Sequence, residues 1–197
     1  MKECLSYNDV LLVPQHSNIK SRTEVNLESR LGNKSYTLPI ISSPMDTITE
    51  TGMALAMKKA GGLGIVHRYC SIAEQIEMIS YENVRAAAVG VTGDFVDRVA
   101  ALYNAGIRIF CLDVAHGDHL HMQIAIERLK NTYGEEVHVM AGNVATREAY
   151  ERLSKWGADS VRVGIGGGSI CSTRIQTGHG MPTFQSVLDC SQSECDT

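Results

Sequence analysis

No apolar run in this 197-residue chain approaches the ~20 residues that a bilayer-spanning helix needs, so no membrane segment is expected. Positive charge is also scarce: 18 Lys and Arg stand against 22 Asp and Glu, for a formal net charge of −4. With no basic tract and no aromatic ladder, the chain carries no electrostatic footprint for nucleic acid, and any phosphate must be held locally. The cysteines at positions 4, 70, 111, 171, 190 and 195 lack paired CxxC spacing, which argues against both a zinc site and a disulfide framework. The first nine residues carry acids and no apolar h-region, so they do not read as a secretory signal. A reducing cytoplasm is the expected compartment.

What is present is chemistry concentrated in one run, Val161-Arg-Val-Gly-Ile-Gly-Gly-Gly-Ser-Ile-Cys-Ser-Thr-Arg174. A strand-like start leads into glycines that let backbone approach a bulky anionic ligand, and then into a thiol flanked by hydroxyls and arginines. Taken singly, a cysteine is usually a small buried hydrophobe and a glycine run is usually a turn. Their coincidence here points to a reactive thiolate, whose pKa nearby cations or a helix N-terminus would lower.

Apolar runs alternate with amphipathic segments along the chain. After an extended polar lead-in through Tyr36, the pattern predicts strands at 38–43, 62–67, 85–91, 108–115, 137–143 and 160–165. Helices are predicted at 50–60, 72–82, 95–104, 122–132, 147–156 and 182–190. Capping boxes are expected at Thr47 with Glu50 and at Ser71 with Glu74, and helix stops at glycines 61, 106, 134 and 157. Strand starts recur about every two dozen residues, as in successive β/α units. The polar residues Ser42, Ser43, His67, Arg68, Asp113 and Asn143 fall at strand C-terminal ends, as does the Cys171 loop. That is the ligand-binding face of a (β/α)8 barrel, although a doubly wound sheet would place ligands there too. The count stops at about six units where a closed barrel has eight, so an incomplete barrel with exposed strand edges is expected.

Several segments carry a family resemblance. Leu5-Ser-Tyr-Asn-Asp-Val-Leu-Leu-Val-Pro14, Ser42-Ser-Pro-Met-Asp-Thr-Ile-Thr-Glu50, Gly61-Gly-Leu-Gly-Ile-Val-His67, Leu112-Asp-Val-Ala-His-Gly117, Met140-Ala-Gly-Asn-Val144 and the Cys171 loop resemble, in order, the catalytic barrel of the IMP dehydrogenase and GMP reductase family. The resemblance covers nearly the whole chain, read as one catalytic domain over 1–197, a TIM (β/α)8 barrel with about six of eight units and no CBS-type insert between 71 and 85. It implies an oxidoreductase acting at C2 of a purine nucleotide, GMP or IMP, with NADPH or NAD as cofactor.

By the same resemblance Cys171 is the nucleophile, and Thr173 handles water or ammonia at the covalent intermediate. Ser43, Met45, Asn143, Arg162, Gly168 and Ser169 match substrate contacts. Asp113, His116, Gly164 and Gly166 match the nicotinamide side, and the carbonyls of Gly166, Gly168 and Cys171 match a site for K+. Read without the family, Met45 is a core residue, Arg162 a solvated or ion-paired side chain, Ser169 a helix cap and His116 a structural hydrogen-bonding histidine. The family further implies a homo-oligomer, a tetramer, or complementation by a C-terminal segment supplying later strands.

Ser43-Pro-Met-Asp-Thr-Ile-Thr-Glu50 and Gly61-Gly-Leu-Gly64 look like the dehydrogenase. Ile19-Lys-Ser-Arg-Thr-Glu24, His67-Arg68, Cys111-Leu-Asp-Val-Ala115, Met140-Ala-Gly-Asn143 and Thr177-Gly178 look like the reductase. Together with the missing insert, these favour GMP reductase, with IMP dehydrogenase as the alternative. A third reading is an inactive piece or half of a split enzyme, for which the isolated chain lacks turnover and associates. A flavin- or phosphate-binding barrel that does not use the cysteine is a fourth.

Overall fold

The computed structural model describes residues 3–81 and 84–193. A short antiparallel hairpin, β1 (Ser29–Leu31) with β2 (Lys34–Tyr36), precedes a run of parallel strands alternating with helices. Strands β3 (Ile41–Ser42) and β4 (Leu63–Gly64) form one parallel pair. Strands β5 (Ala86–Val89), β6 (Ile109–Asp113), β7 (His138–Val144) and β8 (Ser160–Val163) form a parallel sheet in that order. A single bridge between Val66 and Ala87 joins the pair to the sheet. Among the described strands, β3 pairs only with β4 and β8 only with β7, so the result is an open arc rather than a closed barrel.

Seven α-helices are formed among the described residues: α1 (Thr51–Ala60), α2 (Ile72–Ile79), α3 (Phe95–Asn104), α4 (Leu120–Tyr133), α5 (Arg147–Lys155), α6 (Ser172–Thr177) and α7 (Thr183–Cys190). The Ser71–Glu74 box caps α2 as expected, with reciprocal side-chain bonds to the Glu74 and Ser71 amides. The Thr47–Glu50 box does not form. Thr49 is fully buried and ties its hydroxyl to Ser42 Oγ and the Ser43 carbonyl, which holds 46–48 in a turn and delays α1 to Thr51. Gly61 ends α1 at φ 87°, a conformation only glycine adopts cheaply, and its own N–H caps the Lys58 carbonyl. Helix α6 was not expected, and the predicted helix 72–82 ends at residue 82, outside the described residues.

The strands are apolar on both faces because both are covered. On the outer face Ala87, Val89, Phe110, Leu112, Val139 and Ala141 pack under helix residues such as Leu102, Ile126 and Leu153. The inner face is a smaller cluster of Ile65, Ala86, Ala88, Ile109, Cys111 and Met140. Leu31 and Tyr36 of the hairpin pack against it. The lead-in therefore contributes to the core where only extended chain was expected, although Leu11 and Leu12 within it stay 96% and 98% exposed. No described helix is long and apolar enough to cross a membrane.

Candidate active site

At the C-terminal ends of β3, β6, β7 and β8 lies a cleft of about 390 Å³. Ser43, Met45, Asp113, Asn143, Arg162, Gly164, Gly166, Cys171 and Thr173 all line it, so nine of the residues singled out in the sequence come together. A larger cavity of about 720 Å³ at the opposite ends of the strands holds none of them. Within it Lys130 lies 2.8 Å from Asp159 and 3.8 Å from Glu135.

Cys171 sits at the N-cap of α6, directly after the glycine turn. The Arg174 N–H holds its thiol below the ordinary thiol value, aided by the Thr173 N–H and hydroxyl and the Gly166 N–H, while partial burial works against them. Here the same kind of side chain meets opposite fates. Cys111 on β6 is wholly buried, and burial pushes its thiol up to about 11, even with Arg162 Nη1 3.3 Å away.

The loop that carries Cys171 is packed down. The Met181 N–H donates to the Ile165 carbonyl, and Gly166 lies so close to Gly180 that a Cβ would fall 2.8 Å from the Gly180 Cα. On Gly167 a Cβ would fall 1.9 Å from Thr183 Oγ1. The glycines are therefore needed for loop-to-α7 contact as much as for any ligand.

Arg162 and Asp113 form an ion pair at 2.5 Å, with both side chains mostly buried. The second carboxylate oxygen of Asp113 makes no hydrogen bond among the described residues, and it is free to accept from ligand hydroxyls. Such an acceptor suits the vicinal hydroxyls of a ribose. Asn143 is fixed by its side-chain N–H to the Gly164 carbonyl at 2.9 Å, and by its main chain to Val114 and Gly117.

Three expected members do not join the cleft. His116 is exposed on the loop after β6, because Gly117 packs on Asn143 and turns the preceding residue outward. Gly168 and Ser169 are exposed at the outer turn of the loop. Of the carbonyls matched to a K+ site, that of Gly168 accepts from the Cys171 N–H in the turn before α6 and that of Cys171 accepts from the Ile175 N–H in its first turn, each keeping a second lone pair. Conversely, Arg68 and Tyr69 line the cleft but were not assigned to it. The Nε of Arg68 donates to the Asp113 carbonyl at 3.2 Å, and its guanidinium lies 5.0 Å from the Tyr69 ring centroid. Their position at a strand C-terminal end was the available signal.

A family model described as the IMP dehydrogenase / GMP reductase domain matches residues 4–197. The chain belongs to this family. Among curated relatives, an inosine-5'-monophosphate dehydrogenase of Cryptosporidium parvum is 33% identical over 95% of this chain and 58% of its own length. One from Nitrosopumilus maritimus is 26% identical, covering 97% of this chain and 67% of its own. GMP reductase 2 of Bos taurus is 35% identical, covering 96% and 57%. The chain thus spans roughly three fifths of the length of these IMP dehydrogenase/GMP reductase relatives. The Nitrosopumilus alignment runs over 320 positions, so that relative carries a long stretch with no counterpart here, whereas the Bos taurus alignment runs over 201.

Proposed function

We propose that this chain carries the nucleophile-bearing part of a purine nucleotide oxidoreductase, and that the assembled barrel reduces GMP with NADPH to IMP and ammonia. The observation that carries this reading is the Cys171 thiol, held below its ordinary pKa at the mouth of a cleft that also gathers Thr173, Asn143, Arg162 and Asp113. The nearly gapless alignment to the reductase supports a single domain over 1–197 without an inserted module, and favours GMP reductase over IMP dehydrogenase.

In this reading the Cys171 thiolate adds to C2 of the purine. The C–S bond forms as the 2-amino group takes up protons and leaves as ammonia, with Thr173 positioning that ammonia. Reduction at C2 then breaks the C–S bond and returns its electron pair to sulfur. A bound nicotinamide would supply the two electrons, and Asp113, Gly164 and Gly166 would hold it. Ser43, Met45, Asn143 and Arg162 orient the purine nucleotide in the cleft, and its phosphate extends beyond the cleft to the exposed turn of the loop, where Gly168 and Ser169 offer N–H and hydroxyl groups. No step is assigned to K+.

Among the described strands, the open arc leaves the outer edges of β3 and β8 unpaired, which supports an isolated 197-residue chain that is inactive until those edges are covered, in a homo-oligomer or by a complementing segment. A cytoplasmic setting agrees with Cys70, Cys111, Cys171 and Cys190, which form no disulfide among the described residues. Cys195 lies outside them.

The test is to assay the chain alone, and then with the remaining part of a reductase relative, for NADPH oxidation with GMP and for NAD reduction with IMP. GMP-dependent NADPH oxidation only on complementation is expected. NAD reduction with IMP instead would assign the dehydrogenase, and activity in Cys171→Ser would point to the barrel that does not use the cysteine.

A further inference from the structure

The ladder between the β4 segment and β5 stops abruptly. In a regular parallel ladder, the bonds Val66 N–H to Ala86 O (3.2 Å) and Ala88 N–H to Val66 O (2.8 Å) would be followed by Arg68 N–H to Ala88 O. That acceptor is already taken. The Gln75 side chain, completely buried on α2, donates one amide hydrogen to Ala88 O at 2.8 Å and the other to His67 O at 2.8 Å. Its own oxygen accepts from Arg98 Nη1 at 2.7 Å. Arg98, 6% exposed on α3, also donates to the Cys70 carbonyl at 2.8 Å and is neutralised by Asp94 at 2.7 Å.

A buried arginine and a buried amide are each costly unless fully used. Here both are spent on the main-chain carbonyls that bracket residues 67–70. The main chain is thereby released from β5 at Arg68, whose side chain passes Gly90 to reach the Asp113 carbonyl. At Gly90 a Cβ would lie 3.4 Å from Arg68 Nη1.

We infer that Gln75 and Arg98 are positioning residues: they end the β4–β5 ladder and hold the Arg68–Tyr69 rim against Asp113, on the side of the cleft assigned to the nicotinamide nucleotide. The assignment to that ligand rests on the proposed function, but the clamp itself does not. Neither residue touches the cleft, and the Cys171 loop is built on different elements, β8 and α6.

Two variants separate these layers. Gln75→Glu keeps the shape and the Arg98 contact but turns a donor into an acceptor facing two carbonyls. Arg98→Lys keeps the charge at Asp94 but loses the fork. Hydrogen exchange by mass spectrometry is expected to speed up at residues 67–70 by about tenfold or more, the weight of one hydrogen bond to a buried group, while residues 109–113 and 138–144 stay protected. NADPH, titrated by its own fluorescence, should bind about tenfold more weakly to the variants, while the alkylation rate of Cys171 is unchanged.

Unchanged exchange at 67–70 in both variants would overturn the clamp. Loosened exchange with unaltered NADPH affinity would overturn its positioning role, and loss of protection throughout the sheet in both variants would reassign the pair to the core. The NADPH titrations are made on the chain complemented with the remaining part of a reductase relative; if that unaltered assembly binds no NADPH, the functional reading fails, and the exchange measurement still decides the clamp.

Discussion

Arg162 on β8 crosses β7 to place its Nη1 2.5 Å from Asp113 Oδ1 on β6, and it does so directly over Gly142. A Cβ on Gly142 would lie 2.7 Å from the Arg162 Cβ and 2.8 Å from its carbonyl oxygen. The pair spans three adjacent strands because the middle one offers no side chain. Gly142→Ala should therefore cost about 1–3 kcal/mol through overpacking, read from urea unfolding, and should displace Arg162 from the cleft.

Breaking this pair from one side should cost more. Asp113→Asn leaves a mostly buried guanidinium beside a neutral amide and the Cys111 sulfur, a loss on the order of 3 kcal/mol, whereas the double change Asp113→Leu with Arg162→Leu should recover most of it. A double-mutant cycle on denaturant midpoints checks this. With Asp113→Leu and Arg162→Leu as the single variants of the cycle, a double-variant loss equal to the sum of the two single losses would show that the pair is not coupled.

Alkylation should distinguish the two cysteines of the site region. Because its thiol is held below the usual range, Cys171 has more thiolate at any given pH, and its iodoacetamide rate should reach half-maximum below the value for a free cysteine. Thr173→Val removes one stabilising hydroxyl and should slow the neutral-pH rate by a few-fold (about 2–5). Cys111, buried and pushed to about 11, should remain unlabelled in the folded protein. Peptide mapping at several pH values reads both sites at once.

Neighbouring glycines in the Cys171 loop should behave differently. Gly167→Ala drives a Cβ into Thr183 and should destabilise the loop by about 1–3 kcal/mol, with a measurable change in Cys171 alkylation. At Gly168 an added Cβ meets only ordinary contacts at 3.9 Å, so Gly168→Ala should leave stability within about 0.5 kcal/mol.

The imidazole of His138, at the start of β7, is lowered below its ordinary 6.5, chiefly by burial. Its neutral form is the one the fold prefers, so the unfolded chain takes up a proton first as pH falls. The resulting stability is fully present above about 6.5 and is lost as pH drops from there through the depressed folded value. Unfolding free energies at pH 7.5 and 5.5 should show this decline, and His138→Gln should flatten it.

The local order of elements was legible because periodicity and punctuation are local. Alternating apolar runs, the Ser71–Glu74 box and the stop at Gly61 each depend on residues within one or two turns of each other. The site was legible for a related reason: strand C-terminal ends converge in any parallel β/α arrangement, so polar residues there meet without further information. The exceptions have long-range causes. The Thr47 box failed because Thr49 is drawn back to β3, and α6 escaped notice because six residues show too little periodicity. Gly168 and Ser169 share the loop with Cys171 yet do not line the cleft: they are exposed at the turn, while Gly166 and Gly167 pack on Gly180 and Thr183.

The amino-acid sequence alone determined the β/α order and the family and singled out Cys171 as the proposed nucleophile, all of which reside in short segments. Only the tertiary structure decided that Cys171 has a lowered pKa while Cys111 is raised, that Arg162 is bound to Asp113 rather than free, and that Gln75 ends a ladder to release Arg68. Those outcomes are set by burial and by partners tens of residues away. Solvation and charge act through space, and spacing along the chain does not report them.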